Sequence, residues 1–137
     1  MAERAFVDTN VFIYAADEDA GAKRDRARER IGQLLREGRA VISTQVLQEF
    51  FVAATRKLGI AAEAARQHVD VLAQLDTVVV RPEHVLGAID LYRLHAISFW
   101  DALIVRCASA AGCANVLTED LNAGQVIDGV RIENPFL

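Results

Sequence analysis

Short apolar runs alternate with longer amphipathic segments along the chain, and this alternation restricts the fold more than any other feature. Residues 5–7, 40–43, 77–80 and 115–117 are nearly continuous apolar runs with helical patterns between them. Strands that are apolar on both faces are typical of parallel sheets covered by helices. The pattern therefore predicts an α/β fold, with a mainly parallel sheet of four or five strands and helices on both faces. Residues 130–134 are the fifth strand, expected at an edge.

The helical segments follow from spaced apolar residues and from glycines at their ends. In residues 21–37, for example, one face is expected to carry the core residues Ala27, Ile31, Leu34 and Leu35. Gly38 and Gly59 each come just after such a segment, as helix-ending glycines commonly do. No repeat or linker divides the 137 residues, so we expect residues 1–137 to form a single domain. The expected helices are 10–16, 21–37, 44–58, 61–75, 82–94 and 98–112.

Several function classes do not fit the sequence. No apolar run approaches the ~18 residues of a membrane span. Cys107 and Cys113 are six residues apart, which matches neither a redox pair nor a zinc cluster. The histidines are scattered at 68, 84 and 95, so a histidine metal site is not expected. These features favour a cytoplasmic protein with reduced thiols.

The charge distribution is uneven. The net charge of −4 argues against a generally basic nucleic-acid binder. Residues 23–39, however, hold seven basic and three acidic residues. Either these arginines pair with Asp25, Glu29 and Glu37 on a solvated helix face, or the segment contacts phosphates. In the second interpretation the contacting residues are Lys23, Arg24, Arg26, Arg28 and Arg30.

The segment "SFWDALIVRCASAAG", residues 98–112, predicts a helix that is apolar on almost every side. Such a helix is normally buried, and yet Asp101 lies in its first turn. Ser98 fits the cap of this helix, and a capping box explains a polar residue at position 101. It does not explain a carboxylate in a buried helix, because a buried charge is costly without compensation. We therefore expect Asp101 to face a counter-charge.

Three other acids fall where an α/β sheet collects its ligands. Asp8 ends the first strand, Asp120 follows the fourth, and Glu49 lies off the apolar arc of its helix. Taken singly, these positions also suit a helix cap, a turn and a solvated glutamate. Together with Asp101, they are expected at one edge of the sheet. Carboxylates crowded there repel one another, so either some of them are protonated or a cation lies among them. A hard divalent cation, Mg²⁺ or Mn²⁺, is the natural counter-charge.

Four stretches of the sequence resemble the conserved blocks of PIN-domain nucleases. These stretches are "FVDTNVFIYA", "QVLQEFF", "SFWDALIV" and "VLTEDLNAGQ", in the family's order. Their order and separation are most similar to the VapC-type toxins of bacterial toxin–antitoxin pairs. The resemblance runs from Phe6 to about Pro135 and implies a PIN-like three-layer fold.

The resemblance also assigns roles to single residues. It implies that Asp8 and Asp101 are the principal metal ligands and that Glu49 and Asp120 complete the acidic cluster, directly or through water. Glu119 adjoins Asp120, and the family pattern favours Asp120 as the inward-facing acid. The residues expected to orient these acids are Thr9, Asn10 and Thr118.

The implied activity is that of a Mg²⁺- or Mn²⁺-dependent endoribonuclease, in which water attacks the phosphorus in line. The implied partners are an RNA substrate, a VapB-type antitoxin that inhibits the enzyme, and a second copy in a homodimer. Phe12, Phe50 and Phe51 are candidates for an antitoxin groove, although core positions suit them better.

Four other functions are alternatives to this one. A phosphorelay receiver domain needs two adjacent acids after its first strand, and here Thr9 follows Asp8. A phosphatase with an aspartate nucleophile usually shows D-x-D, and Asn10 occupies the place of the second acid. A non-catalytic PIN-like binding module is closer, but such modules usually lack one or more of the four acids. An RNA-maturation nuclease outside a toxin pair is the remaining alternative.

Overall fold

The computed structural model describes residues 3–137, in which strands and helices alternate as the sequence predicts. The strands are β1 (Ala5–Val7), β2 (Ala40–Ser43), β3 (Asp76–Val78), β4 (Asn115–Leu117), β5 (Val126–Ile127) and β6 (Val130–Glu133). The helices are α1 (Thr9–Ala16), α2 (Ala22–Arg36), α3 (Thr44–Arg56), α4 (Ala62–Leu72), α5 (Pro82–Leu94) and α6 (Phe99–Ala110).

The strands form one sheet in the order β3-β2-β1-β4-β6-β5, and every pair except β5–β6 is parallel. Helices flank this sheet, so the expected three-layer α/β fold is confirmed. The helix α5 packs against α6, while α1 packs against α2 and α3. The predicted helix boundaries differ from the observed ones by at most three residues.

The outer strands correct two expectations. The sheet has six strands in the described residues instead of four or five, and the strand expected at the edge, β6, pairs with β4 on one side and β5 on the other. The short antiparallel β5 is the edge strand on this side of the sheet. At the other edge, β3 is observed at Asp76–Val78 instead of the predicted residues 77–80. A turn at Asp128 (φ 51°) and Gly129 (φ 78°) joins β5 to β6. An Asp-Gly pair with positive φ at both residues is the signature of a tight hairpin, and the sequence reading missed it.

The core lies between the sheet and its helices. Phe6, Val41, Val116 and Ile132 on the central strands are fully buried or nearly so. On α6, Leu103, Ile104 and Val105 are buried together with small neighbours, which confirms the prediction that this helix is buried. Both cysteines are buried, and burial raises the pKa of each thiol to about 11, so the thiols stay protonated near neutral pH.

Two predicted core positions are wrong. Leu35 on α2 is 48% exposed and Phe51 on α3 is 38% exposed, whereas Phe12 and Phe50 are buried. Residues 35 and 51 directly follow the buried Leu34 and Phe50, and adjacent residues on a helix point in directions about 100° apart. Their exposure follows from this rotation.

Short polar side chains begin three of the helices at the carboxyl edge of the sheet or beside it. The Asp8 carboxylate accepts from Thr9 N at the start of α1, and Ser43 Oγ accepts from Val46 N at the start of α3. At the start of α6, Ser98 Oγ accepts from Asp101 N. None of the helices in residues 3–137 has the length and apolar character needed to span a bilayer.

Candidate metal centre

Three carboxylates from distant parts of the chain meet at the carboxyl edge of the sheet. Asp8 leaves β1, Asp120 lies just beyond β4, and Asp101 is in the first turn of α6. Each contributes one oxygen to a set whose members all lie within 4.8 Å of one another. The parallel pairing of β1 with β4 brings the first two acids together, because Val7 and Leu117 are direct partners in that ladder.

Asp8 is the buried member of this acidic cluster, with 5% of its surface exposed. Its Oδ1 accepts a hydrogen bond from Thr9 N at 2.7 Å, and its Oδ2 accepts one from Thr118 Oγ1 at 2.8 Å. Burial nevertheless raises the pKa of Asp8 from 3.8 to about 7, and the negative charges of Glu49 and Asp120 add to this rise. The two hydrogen bonds oppose the rise but do not cancel it.

Asp101 has an intermediate exposure and a raised pKa, chiefly because of burial and secondarily because of the charges of Asp120 and Glu49. Ser98 caps the helix as expected, through the backbone amide of Asp101. The Ser98 hydroxyl also interacts with the Asp101 carboxyl and opposes the rise in its pKa, but it does not cancel that rise. One oxygen of the Asp101 carboxylate lies within 4.8 Å of an oxygen of Asp8 and an oxygen of Asp120.

The two adjacent acids after β4 point in different directions. Glu119 accepts from Tyr14 Oη at 2.5 Å and pairs with Lys23 Nζ at 2.9 Å. Asp120 instead accepts from Asn10 Nδ2 at 2.9 Å and belongs to the acidic cluster. The geometry thus distinguishes two residues between which the sequence alone left a choice.

The three residues expected to orient the acids all contact them. Asn10 Nδ2 lies 2.9 Å from Asp120, 3.3 Å from Thr118 Oγ1 and 3.5 Å from Asp8 Oδ2. Thr9 Oγ1 donates to Glu49 Oε1 at 2.9 Å. These polar bridges tie the segment after β1 to the segment after β4 and to α3.

Glu49 lies beside the acidic cluster. Its second carboxylate oxygen accepts from Gln45 Nε2 at 3.4 Å, and the same amide group donates to the backbone carbonyl of Trp100 at 3.2 Å. Among the described residues, the set of converging oxygens contains Asp8, Asp101 and Asp120 without Glu49. Glu49 does line the same cleft.

The family model of the PIN domain matches residues 5–127, which is most of the chain and spans all four acids. The chain belongs to the PIN domain family. No curated protein sequence matches it.

Solved structures with the same fold resemble this PIN domain. VapC20 of Mycobacterium tuberculosis, described as a Sarcin-Ricin loop cleaving toxin, has 23% identity and a TM-score of 0.65, over 82% of this chain and 86% of that one. DNA-bound VapBC from Salmonella typhimurium has 23% identity and a TM-score of 0.71, over 98% and 99%. VapBC2 from Rickettsia felis, bound to a promoter DNA fragment, has 18% identity and a TM-score of 0.69, over 95% and 97%.

The acidic cluster of this PIN domain opens into a cleft of about 900 Å³. The walls come mainly from α1, α3 and the start of α6. Sequence reasoning missed several residues that line it. These are Gln45, Gln48, Arg56, Lys57 and Trp100.

The five basic residues of α2 from Lys23 to Arg30, which were the candidates for phosphate contact, contact the PIN domain itself. All five have partners: Lys23 with Glu119, Arg24 with Glu18, Arg26 with the Phe136 carbonyl, Arg28 with the Ala15 carbonyl and Arg30 with Glu133, at 2.9, 2.8, 2.6, 2.7 and 3.1 Å. The acids that pair with these five residues thus differ from the expected Asp25, Glu29 and Glu37, although Glu37 does pair with Arg39, at 2.7 Å. These contacts attach α2 to α1 and the loop between the two helices, to the segment after β4, and to β6 and the residues that follow it.

The acidic cluster fits a hard divalent cation. Its donors are all carboxylate oxygens, the ligands that Mg²⁺ and Mn²⁺ prefer. The raised pKa of Asp8 shows a buried carboxyl without enough positive charge around it, which a bound cation would supply. The buried Oδ1 of Asn10, beside Asp8 and Asp120, also has no hydrogen-bond partner in the described residues. Asp8, Asp101 and Asp120 are therefore the residues that would hold such an ion.

Proposed function

We propose that this PIN domain is a metal-dependent endoribonuclease that hydrolyses phosphodiester bonds of RNA, with Mg²⁺ or Mn²⁺ as its cofactor. The observation that carries the proposal is that Asp8, Asp101 and Asp120 line one open cleft and each place a carboxylate oxygen within 4.8 Å of the others. Three carboxylates that are close in space repel one another, and a bound cation would offset their charge. The open cleft leaves room for a polymer to reach it.

The chain's own residues divide the work in this proposal. Asp8, Asp101 and Asp120 hold the ion, and Glu49 completes the negative wall of the cleft, directly or through water. Thr118 and Asn10 orient the carboxylates of Asp8 and Asp120 through the hydrogen bonds described above. When bound, a divalent cation supplies Lewis-acid activation of water and charge neutralisation at the phosphodiester.

We also propose that the nuclease is the toxin of a VapBC-type pair that inhibits translation or growth. It would act in the cytoplasm, as a homodimer, and would be inhibited by a VapB-type antitoxin. The similarity to structures described as VapC and VapBC supports this role. Six acids line the cleft, and this excess of negative charge suits an inhibitor that carries a basic side chain.

The experiment that tests the nuclease compares RNA cleavage by the purified chain, its Asp101→Asn variant and an Asp70→Asn control. Asp70 is an exposed acid on α4 and does not line the cleft. We expect EDTA to abolish cleavage and added Mn²⁺ to restore it. Asp101→Asn should lower the rate at least 100-fold, roughly 3 kcal/mol of activation free energy, and Asp70→Asn should not change it. Undiminished cleavage in EDTA would contradict the proposal.

The toxin role has its own test. Induced expression of the chain in a bacterial host should arrest growth, and Asp101→Asn should grow normally at equal protein level. The cleaved RNA should carry 5′-phosphate ends, because water rather than the ribose 2′-hydroxyl is the attacking group. Normal growth with an active nuclease would exclude the toxin role and leave the enzyme.

A further inference from the structure

Two basic residues line the cleft at the opposite end of α3 from the caps that begin it. Arg56 is the last residue of α3, and Lys57 is its C-cap. Both side chains are exposed and both line the cleft. Among the described residues they are the only basic ones that do so, since every other charged residue of the lining is an acid.

Within residues 3–137, the side chains of Arg56 and Lys57 are unpaired, unlike those of the five basic residues of α2 from Lys23 to Arg30. Neither Arg56 nor Lys57 forms an ion pair or a side-chain hydrogen bond with another residue in the described part of the chain. Each basic residue of α2 from Lys23 to Arg30, by contrast, already contacts an acid or a backbone carbonyl. The unpaired charge in the cleft is therefore available to a ligand.

The position of Arg56 relative to the acids follows from helix geometry. Gln45, Glu49, Val52 and Arg56 are separated by four, three and four residues, so they form one face of α3. All four line the cleft. Glu49 and Arg56 lie two turns apart, about 10 Å along the helix axis. One wall of the cleft thus has an acid beside the metal centre and a cation two turns away.

We propose that Arg56 and Lys57 form a phosphate-binding subsite for the RNA backbone beside the bond that is cut. This inference rests on the proposed nuclease function and adds the residues that would position its substrate. A polyanion that enters a cleft with six acids is repelled along most of the wall, and only the scissile phosphate is compensated by the metal centre. A neighbouring phosphate on Arg56 and Lys57 removes part of that repulsion and sets the position of the strand.

The subsite is a better candidate for phosphate contact than the basic helix expected from the sequence. An arginine presents a planar fork to phosphate oxygens, and a lysine adds a point charge. A purely structural role is also open to cations at a helix C-terminus, because they interact favourably with the helix dipole. That role predicts a loss of stability on substitution, and the subsite predicts a loss of RNA affinity.

The test uses an Arg56→Gln/Lys57→Gln double variant and an Arg66→Gln/Arg93→Gln control. Arg66 on α4 and Arg93 on α5 are exposed and do not line the cleft. The control therefore removes the same net charge elsewhere. Binding of a short fluorescein-labelled single-stranded oligoribonucleotide is measured by anisotropy at several salt concentrations, with all proteins in an Asp101→Asn background.

We expect the Arg56→Gln/Lys57→Gln change to weaken binding at least tenfold at low salt. The slope of log affinity against log salt should fall by about 1.4, which is roughly 0.7 for each lost phosphate contact with a single strand. The control should bind as the parent does, and thermal unfolding of both should stay near that of the parent. Equal binding by the two double variants would overturn the subsite, and so would the absence of binding by the parent.

Cleavage assays separate this inference from the nuclease itself. With Asp101 intact, the Arg56→Gln/Lys57→Gln variant should cut RNA with a raised KM and a smaller change in kcat. Cleavage by the unsubstituted chain together with an unchanged KM in the variant would overturn the subsite and leave the nuclease. RNA binding that depends on Arg56 and Lys57 without cleavage in Mn²⁺ would support the subsite and contradict the nuclease.

Discussion

Thr118 donates its hydroxyl hydrogen to Asp8 Oδ2 at 2.8 Å, a hydrogen bond that joins residues 110 positions apart in the sequence. The bond forms because β1 and β4 are parallel neighbours, so that their carboxyl ends lie side by side. Thr118 is fully buried and also accepts from Asp120 N at 3.1 Å. This one hydroxyl therefore connects two acids of the metal centre.

Thr118→Val should shift the titration of Asp8. The variant loses the hydrogen bond that lowers the pKa of Asp8, so this pKa should rise above its value of about 7. We expect several-fold weaker Mn²⁺ binding at neutral pH and an alkaline shift of the rate profile. The free energy of unfolding should fall by about 1 kcal/mol. Thr118→Ser keeps the hydroxyl and should retain the original profile; an unshifted profile in Thr118→Val would contradict this role.

Mn²⁺ binding should strengthen with pH up to about 7 and then level off. In the folded protein, burial raises the pKa of Asp8 from 3.8 to about 7, so a proton must leave before the carboxylate binds an ion. Below pH 7 the affinity should rise by up to about tenfold per pH unit. Calorimetry in buffers of different ionisation enthalpy should detect a released proton at pH 6. Asp8→Asn should lose this proton release.

The same titration predicts how the metal-free protein depends on pH. Between about pH 4 and 7, folded Asp8 keeps a proton that the unfolded chain has lost. The folded state thus binds more protons, and the free energy of unfolding should fall as pH rises through this range. Urea unfolding in EDTA at pH 5 and pH 8 measures the difference. The result would contradict the account if Asp8→Asn had the same pH dependence as the unsubstituted chain.

Glu119 and Asp120 are adjacent acids that should respond differently to substitution. Asp120→Ala removes an oxygen of the metal centre and should weaken Mn²⁺ binding at least tenfold. Glu119→Ala removes the partner of Tyr14 and Lys23 and should leave Mn²⁺ affinity within about threefold, with a modest loss of stability. Each variant is the control for the other, since both remove one carboxylate after β4. Equal losses of Mn²⁺ affinity would contradict the observed orientation.

The hairpin at the edge of the sheet gives a prediction about stability. Gly129 has φ 78°, where a side chain strains the backbone, so Gly129→Ala should lower the free energy of unfolding by about 1 kcal/mol. Gly32 is in the interior of α2, where alanine is favoured over glycine, and its added Cβ meets only the end of the Arg36 side chain. Gly32→Ala should therefore raise stability by roughly 0.5 kcal/mol. Urea unfolding that gave both changes the same sign would contradict these assignments.

Most of the layered fold could be predicted from the sequence because buried parallel strands leave continuous apolar runs. The residues 5–7, 40–43 and 115–117 match the observed strands residue for residue. The two-residue β5 has no such run, and only the Asp-Gly turn indicated it. The composition of β6 does not show whether a further strand pairs beside it. The hairpin that joins β5 to β6 is the feature that indicates this pairing.

The candidate site was predictable where a residue follows a strand and less so elsewhere. Asp8 and Asp120 could be placed at the sheet edge from their positions after apolar runs. Their closeness to Asp101 was harder to predict, because it depends on the order of the strands in the sheet. Arg56 lies on the same polar face as Glu49, at a spacing of seven residues, and this signal was present in the sequence. The basic stretch of α2 was more conspicuous in the sequence. Its partners Glu18, Glu119 and Glu133 all lie outside α2, so the pattern of charges along the helix did not show that its basic residues are paired.

The most direct test of the metal centre is anomalous diffraction from crystals of the chain soaked in Mn²⁺. The account predicts an anomalous peak bonded to carboxylate oxygens of Asp8, Asp101 and Asp120, and its loss in Asp101→Asn crystals soaked identically. Clear density for the three side chains without a peak among them, at a Mn²⁺ concentration that supports RNA cleavage, would contradict the claim that these acids hold the ion.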